Sequence, residues 1–503
     1  MTAPAAAGVT VTGAAAGPVP LVEVTEGTVH PRRWTILAFA LTGQALIAAS
    51  VATVNVALPS IRADLHATPA QVQWVIVLYQ LSYAVLLITG GRLGDMFGRR
   101  RLFLLGIVGF VSSSALAGAA PNISVLVAAR LVQGLSGGLA SPQILALIQL
   151  IFPIAERSRA IARFAMTSGA SFMVGQLMTG GLLKIDLFGL GWRAAFLVNV
   201  PPGVVAFVGA CLLFPNPRRT RDQRLDTKGA ALVSAAMLML LYPLIQGRSR
   251  GWPPVFFVVL AASAPMFWWF AVHERRLTST TGSPLIDVRL FEARSFRLGL
   301  LLAAVTQVTF FPAFLFITIT LQSGFGYDPL KTALTLTPTP VALVIGAFAA
   351  SRLVGTLGRR MFAVSAVLMG VATAALMLIL VHGPRPPSAL ALLVPMIILG
   401  IGQGFAVPTT LIVALLDIEP GHAGAASGVF QTVQQLTAAT GVAVLGIAFF
   451  GTVGSQTGPS PYIDAFVRTM LVVMGFYVTL FLVHFVLPRR FAPVDRTPTP
   501  AEA

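Results

Sequence analysis

One charged residue, Arg130, stands inside a long apolar run, with Gln133 one helical turn on. A guanidinium in the hydrocarbon core costs about 2.5–3.5 kcal/mol or more, so it must face a wet or partnered interior. Two roles suit it. It marks a pathway through the membrane, or it staples helices by donating to carbonyls of the first and fifth spans. Uncharged polar residues recur in other apolar runs: Gln44, Ser50 and Asn55 in the first, Gln307 in the ninth, Gln403 in the twelfth, Gln431, Gln434 and Gln435 in the thirteenth. Gln431 and Gln435 share one helix face by their spacing. Amides can hydrogen-bond varied ligands, and Phe310, Phe311, Phe314, Phe405 and Phe430 supply apolar walls for such a cavity. Acids are missing from it: all 17 Asp and Glu fall in loops, tails or helix ends. Asp186 and Asp328 are then the remaining candidates for carrying a proton.

These residues need elements to hold them. Mean hydropathy is +0.84, with 56% apolar and 10% charged residues. A spanning helix needs roughly 20 apolar residues. Fourteen stretches qualify, at approximately 34–58, 71–90, 102–120, 124–150, 161–183, 194–214, 228–246, 253–272, 298–321, 331–351, 361–381, 388–412, 424–450 and 466–487. Of the 34 Lys and Arg, 25 lie in one set of alternate gaps together with the termini, 8 in the other, and Arg130 within a span. The positive-inside rule puts both termini in the cytoplasm. The net charge of +17 is therefore an orientation signal, with contacts to anionic lipid headgroups, and no nucleic-acid partner is expected. Cys211 is the single cysteine, so no internal disulfide and no cysteine metal site exists. No phosphate cradle, zinc or dinucleotide motif is apparent, and no metal or cofactor is expected.

Two segments repeat. Gly91-Arg92-Leu93-Gly94-Asp95-Met96-Phe97-Gly98-Arg99-Arg100-Arg101 follows the second span; Ser351-Arg352-Leu353-Val354-Gly355-Thr356-Leu357-Gly358-Arg359-Arg360 follows the tenth. Gly98 and Gly358 lie 260 residues apart, and such internal repeats mark secondary transporters. That interval holds eight spans. The expected organisation is a disordered cytoplasmic tail (1–33), a six-helix bundle (34–214), linkers with an extra helix pair (215–297), a second six-helix bundle (298–487) and a cytoplasmic tail (488–503). In the first segment the glycines at 91, 94 and 98 allow a tight turn and close approach. Asp95, among Arg92, Arg99 and Arg100, suggests a conformational latch, pairing with Arg92 or a helix end of the opposite half.

The Gly91–Arg101 segment resembles the cytoplasmic signature of the major facilitator superfamily. Asn55-Val56-Ala57-Leu58-Pro59, Arg130-Leu131-Val132-Gln133-Gly134 with Pro142, Gly191-Trp192-Arg193 through Pro201-Pro202-Gly203, and Gly424 to Gly428 with Gln434-Gln435 resemble its fourteen-helix drug:proton antiporter branch. The resemblance covers residues 34–487. It implies an all-α polytopic fold, two lobes rocking about a central site, and proton-coupled export of amphipathic drugs from a bacterial plasma membrane, with the chain acting as a monomer. It also implies that Arg130 tunes a proton site or contacts substrate. The fifth span resembles the branch's antiporter motif in Ser171, Gly175, Thr179 and Gly180, but Gln176 stands where the family has proline and Thr179 where it has glycine. The acid the branch commonly places in the first span is here Ser50. An acid-free vestibule with Arg130 favours anionic or neutral cargo, whose outward movement the membrane potential would assist.

Other classes fare worse. Gly134-Leu135-Ser136-Gly137 matches the Gly-x-Ser-Gly of intramembrane serine proteases, with His484 or His382 as base. Gly and Ser are common in packed membrane helices, so chance accounts for it. A channel lacks its filter segments. An uptake symporter of the same fold is the closest rival. Reporter fusions at residues 1 and 503 should both register the cytoplasm; opposite sides would break the alternation.

Overall fold

The computed structural model describes residues 31–215, 226–280, 285–419, 423–454, 456 and 458–487. Nearly all of the tail at 1–33, the tail at 488–503 and parts of both linkers lie outside the described residues. The rest is helical. The order is α1 Arg33–Asp64, α2 Pro69–Phe97, α3 Arg99–Gly118, α4 Ile123–Ile151, α5 Ile154–Ile185, α6 Ala194–Leu197, α7 Val200–Leu213, α8 Thr227–Gln246, α9 Pro254–Thr280, α10 Arg294–Ile319, α11 Pro329–Leu336, α12 Pro338–Leu357, α13 Arg360–His382, α14 Ala389–Leu415, α15 Ala423–Val453 and α16 Pro459–Val483.

Among the described residues thirteen units are long and apolar enough to cross a membrane, with α6–α7 and α11–α12 each forming one. The helix outside that set is α5, 32 residues long, whose Thr, Ser, Gly and Gln residues dilute its apolar character. Helix starts follow local chemistry. Thr68 and Gln71 form a reciprocal capping box before α2, with Pro69 in the first turn. Asn122 and Ser388 cap α4 and α14 by accepting backbone N–H groups.

The segment expected as a loop after the second span is helical to Phe97. Gly98 alone, at φ 99°, turns the chain into α3, a conformation only glycine adopts readily. Gly358 at φ 50° turns α12 toward α13 in the same manner. Of the glycines expected at close approaches, Gly94 lies where a Cβ would meet Gln143 Oε1 at 2.0 Å, whereas Gly91 has nothing within 4 Å.

Packing repeats along the chain. α2 packs on α4 and α1 on α5; later, α12 packs on α14 and α10 on α15. The contacts share their chemistry. A Cβ on Gly134 or Gly138 of α4 would stand 2.3 or 2.5 Å from the carbonyls of Tyr79 and Tyr83 on α2. A Cβ on Gly400 or Gly404 of α14 would stand 2.3 Å from the carbonyls of Thr339 and Leu343 on α12. Gly175 likewise meets the Ala49 carbonyl at 2.7 Å, and Gly441 that of Val308 at 2.5 Å. Small residues four apart let membrane helices approach to backbone contact, where dispersion and weak hydrogen bonds hold them.

α8 and α9 pack chiefly on each other, with further contacts from α2 and α15 to α8. α9 runs eight residues past its expected end at 272. Gly138→Val and Gly404→Val should each cost about 1–3 kcal/mol by overpacking, read as a lowered melting midpoint in detergent. Gly370→Val, with nothing within 4 Å, should leave the midpoint unchanged.

Candidate functional site

Arg130 is 1% exposed. Its Nε donates to the Val75 carbonyl at 3.0 Å, and its Nη1 to Ser50 Oγ at 2.8 Å and Gln133 Oε1 at 2.5 Å. The guanidinium lies 3.9 Å from the centre of the Tyr79 ring. Gln133 Nε2 donates in turn to Ser114 Oγ at 2.7 Å, and the Tyr79 hydroxyl to the Ile47 carbonyl at 3.0 Å. The knot therefore ties α1, α2, α3 and α4. The second helix, not the fifth, supplies the carbonyl. Cation–π and charge-assisted hydrogen bonds do here what a carboxylate would do elsewhere.

Gln44 is also spent inside the fold: its Nε2 donates to Ser168 Oγ and its Oε1 accepts from Ser141 Oγ, both at 3.0 Å. Asn55 is buried beside Val56, whose carbonyl accepts from Gln322 Nε2 at 3.1 Å. That bond joins α1 to the π-turn that ends α10.

A narrow apolar cleft lies between α10, α13, α14 and α16. Phe310, Phe314, Thr373, Met396, Gln403 and Phe466 are among its walls. Phe172 of α5 approaches it from the other side, with ring centroids 6.4, 6.1 and 5.7 Å from those of Phe310, Phe311 and Phe314. Gln403 is 2% exposed and its Oε1 has no partner; Gln176, one turn beyond Phe172, is 1% exposed with neither amide atom partnered. A buried amide without a partner demands a ligand or water. As it stands the cleft is closed to about 10 Å³, room for a single water, so a larger body enters only when the rings part. Gln307 is buried on α10, while Gln431 and Gln435 are half-buried on α15. Phe405 and Phe430 are not cleft walls. Phe405 packs with Ala350 and Met361, and Phe430 with Leu290 and Phe296.

α5 is exposed over most of 161–170, while Ser171, Gly175, Gln176, Thr179 and Gly180 are buried. A Cβ on Gly180 would meet the Pro329 carbonyl and Ala333 Cβ at 2.9 Å. Just beyond, Lys184 Nζ lies 3.6 Å from Asp328 Oδ2. So α5 and α11 meet tightly at one end, and the other end of α5 stands open.

Asp328 caps α11, and the Lys331 N–H, helped by Lys184, holds its carboxyl below the usual range. The tie to Lys184 is present above that range and is lost as pH falls through it. Asp186, in the left-handed region at φ 48°, accepts the Gly191 N–H at 2.8 Å and shapes the turn after α5. At the open end Asp95 Oδ1 accepts from Arg99 Nε and Nη2 at 3.1 and 3.0 Å. Arg99 also donates to the Ala146 carbonyl of α4, and Arg100 to the Cys211 carbonyl. Arg92 is half-buried. Ser136 donates to Val132 of its own helix at 2.7 Å, the ordinary bond of a packed serine.

The family model described as Major Facilitator Superfamily matches residues 40–442. The chain belongs to the major facilitator superfamily. It is a polytopic membrane transporter, not an enzyme. It is 39% identical over 451 residues to a probable actinorhodin transporter of Streptomyces coelicolor, covering 89% of this chain and 76% of that one. It is 34% identical to a puromycin resistance protein of Streptomyces alboniger, covering 91% of each. It is 31% identical to a tetracenomycin C resistance and export protein of Streptomyces glaucescens, covering 84% and 77%. The same fold appears in a bacterial homologue of the human lysosomal transporter Spinster, in an inward-facing and unoccupied conformation. There the TM-score is 0.65 at 17% identity, with 91% and 97% covered.

The sequence did not single out four features of this transporter. Phe172 carries no signal beyond its place on α5. Gln80, with both amide atoms buried and unpartnered on α2, is one more polar residue in an apolar run. Asp226 and Glu274 are 8% and 1% exposed, which corrects the expectation that no acid is buried; the extension of α9 past residue 272 accounts for Glu274. Arg130→Lys keeps the charge but loses the forked geometry. It should cost about 1.5–3 kcal/mol, the range for hydrogen bonds to charged groups, measured by thermal melting, with substrate selectivity unchanged. Altered selectivity at unchanged stability would put Arg130 in the pathway.

Proposed function

We propose that this transporter exports amphipathic, aromatic small molecules of the antibiotic class from the cytoplasm by alternating access. The carrying observation is the aromatic cluster of Phe172 with Phe310, Phe311 and Phe314, with the unpartnered Gln403 Oε1 in the wall of the closed cleft and the unpartnered Gln176 one turn beyond Phe172. Of the Streptomyces relatives, one is named as a probable actinorhodin transporter, one for puromycin resistance and one for tetracenomycin C resistance and export, which supports export of an antibiotic.

In this reading α5 completes fourteen crossings, and both termini face the cytoplasm. Two six-helix bundles, at 34–214 and 298–487, flank the α8–α9 pair. The matched glycine–carbonyl contacts of α2–α4 with α12–α14, and of α1–α5 with α10–α15, support that division. The α5–α11 contact then closes the outer end, and the open end of α5 faces the cytoplasm. Asp95, held by Arg99 here, pairs with Arg92 or the opposite lobe when that side shuts. Arg130 is committed within its own bundle, so it gives no preference for anions, and the uncharged cleft suits neutral or weakly charged cargo. Proton-motive force drives export, and one chain is the working unit.

Efflux from proteoliposomes, with the pH gradient and the voltage imposed separately, tests this. Export should follow the pH gradient. Phe310→Ala and Gln403→Leu should each raise KM up to about tenfold, since an aromatic pair contributes about 0.5–1.5 kcal/mol and 1.4 kcal/mol is tenfold. Unchanged KM in both variants would remove the cleft from the pathway.

A further inference from the structure

Glu274 and Asp226 each make ordinary bonds through one oxygen. Asp226 Oδ1 accepts the Gly229 N–H at 2.8 Å, capping α8, and meets His273 Nε2 at 2.9 Å. Glu274 Oε2 accepts the Ile286 N–H at 2.9 Å. The second oxygens are left over. Asp226 Oδ2 and Glu274 Oε1 are both buried without a partner. They converge beside Gly229, where a Cβ would stand 2.1 Å from the first and 2.4 Å from the second. Two bare carboxylate oxygens so placed repel, and neither can donate. One proton resolves both, bonded to Glu274 Oε1 and donated to Asp226 Oδ2.

We propose that Asp226 and Glu274 form a proton-binding site that joins the α8–α9 pair to the α2–α3 turn through Arg92. The proton comes from water and returns to it; an O–H bond on Glu274 forms and breaks, and nothing else changes.

The surroundings place the charge. Burial opposes ionisation of Asp226, but the bonds from His273 and the Gly229 N–H outweigh it and hold its carboxyl below the usual range. The shared proton therefore rests on Glu274. α2 packs on α8, and Arg92 toward the C-terminal end of α2 lies in the field of Glu274, Asp226 and Asp287. α9 contributes His273 beside Glu274, and α15, which also packs on α8, has no titratable residue in its sequence. The pair and Arg92 are thus opposed partners. Arg92 close by favours the doubly ionised pair and proton release; Arg92 withdrawn favours uptake. A movement of the α2–α3 turn becomes a proton exchanged at the α8–α9 pair, at the end where α5 stands open. That last link rests on alternating access; proton binding itself does not.

Infrared difference spectroscopy on the full-length protein in lipid nanodiscs reads the proton directly. At neutral pH the wild type should carry a protonated-carboxyl band that Glu274→Gln removes. The amide of that variant mimics the protonated acid, so the fold should persist. Asp226→Asn should move the band's titration to lower pH, and Arg92→Gln to higher pH, each by about one unit or more. These two variants and the wild-type titration carry the test should Glu274→Gln not fold. No such band in the wild type, or a band untouched by Glu274→Gln, would overturn the site. An unmoved midpoint in Arg92→Gln would overturn the link to the turn. Because no substrate is present, a failed export assay with these shifts intact would count against the transport reading alone.

Discussion

A cation buried in an apolar bundle has to be answered from within. Arg130 has no carboxylate among its hydrogen-bond partners. It takes a hydroxyl from α1, a carbonyl and a ring from α2, and an amide from its own helix. Each partner is a fixed donor or acceptor on a rigid helix, so the guanidinium sets the rotation and depth of α1, α2 and α4 together. Gln44 repeats the device toward α5 with two serine hydroxyls. Polar groups in hydrocarbon are costly unless paired, and here that cost secures one arrangement of helices over its alternatives.

Helices pinned in this way can pack backbone to backbone. The glycines of α4 and α14 lie on carbonyls of α2 and α12, and those of α5 and α15 on carbonyls of α1 and α10. Contacts so close resist bending within a lobe. Across the proposed lobes the contacts are mixed: rings meet between α5 and α10, the exposed Lys184–Asp328 pair joins α5 to α11, and Gly180 approaches the Pro329 carbonyl nearly as closely as the glycines elsewhere approach theirs. The proposed rocking has to part that last contact.

Much of this was legible in the sequence, because a bilayer imposes long apolar runs and a charge asymmetry that composition alone reveals. The two repeated segments led to Gly98 and Gly358, each now found at a positive φ. Arg130 was singled out by its isolation, but whether it served cargo or structure could not be read, since both need the same residue in the same place. The glycine pairs 134/138 and 400/404 are visible as small residues four apart, yet which helix they meet is a tertiary fact. Glu274 escaped notice because a carboxylate near a helix end looks solvated until the next segment folds over it and Ile286 donates to it. Phe405 and Phe430 were misplaced because aromatic residues fill cores and cavities alike.

The proposed alternating access requires the two ends to close in turn, and the end joined by α5 and α11 can be locked. With Cys211→Ser as background, Lys184→Cys and Asp328→Cys replace a pair whose charged atoms lie 3.6 Å apart; the shorter thiols call for a bifunctional methanethiosulfonate rather than a direct disulfide. Cross-linking with that reagent should abolish export from proteoliposomes and leave substrate binding intact, with reduction restoring transport. Sustained export by the cross-linked protein would contradict the account.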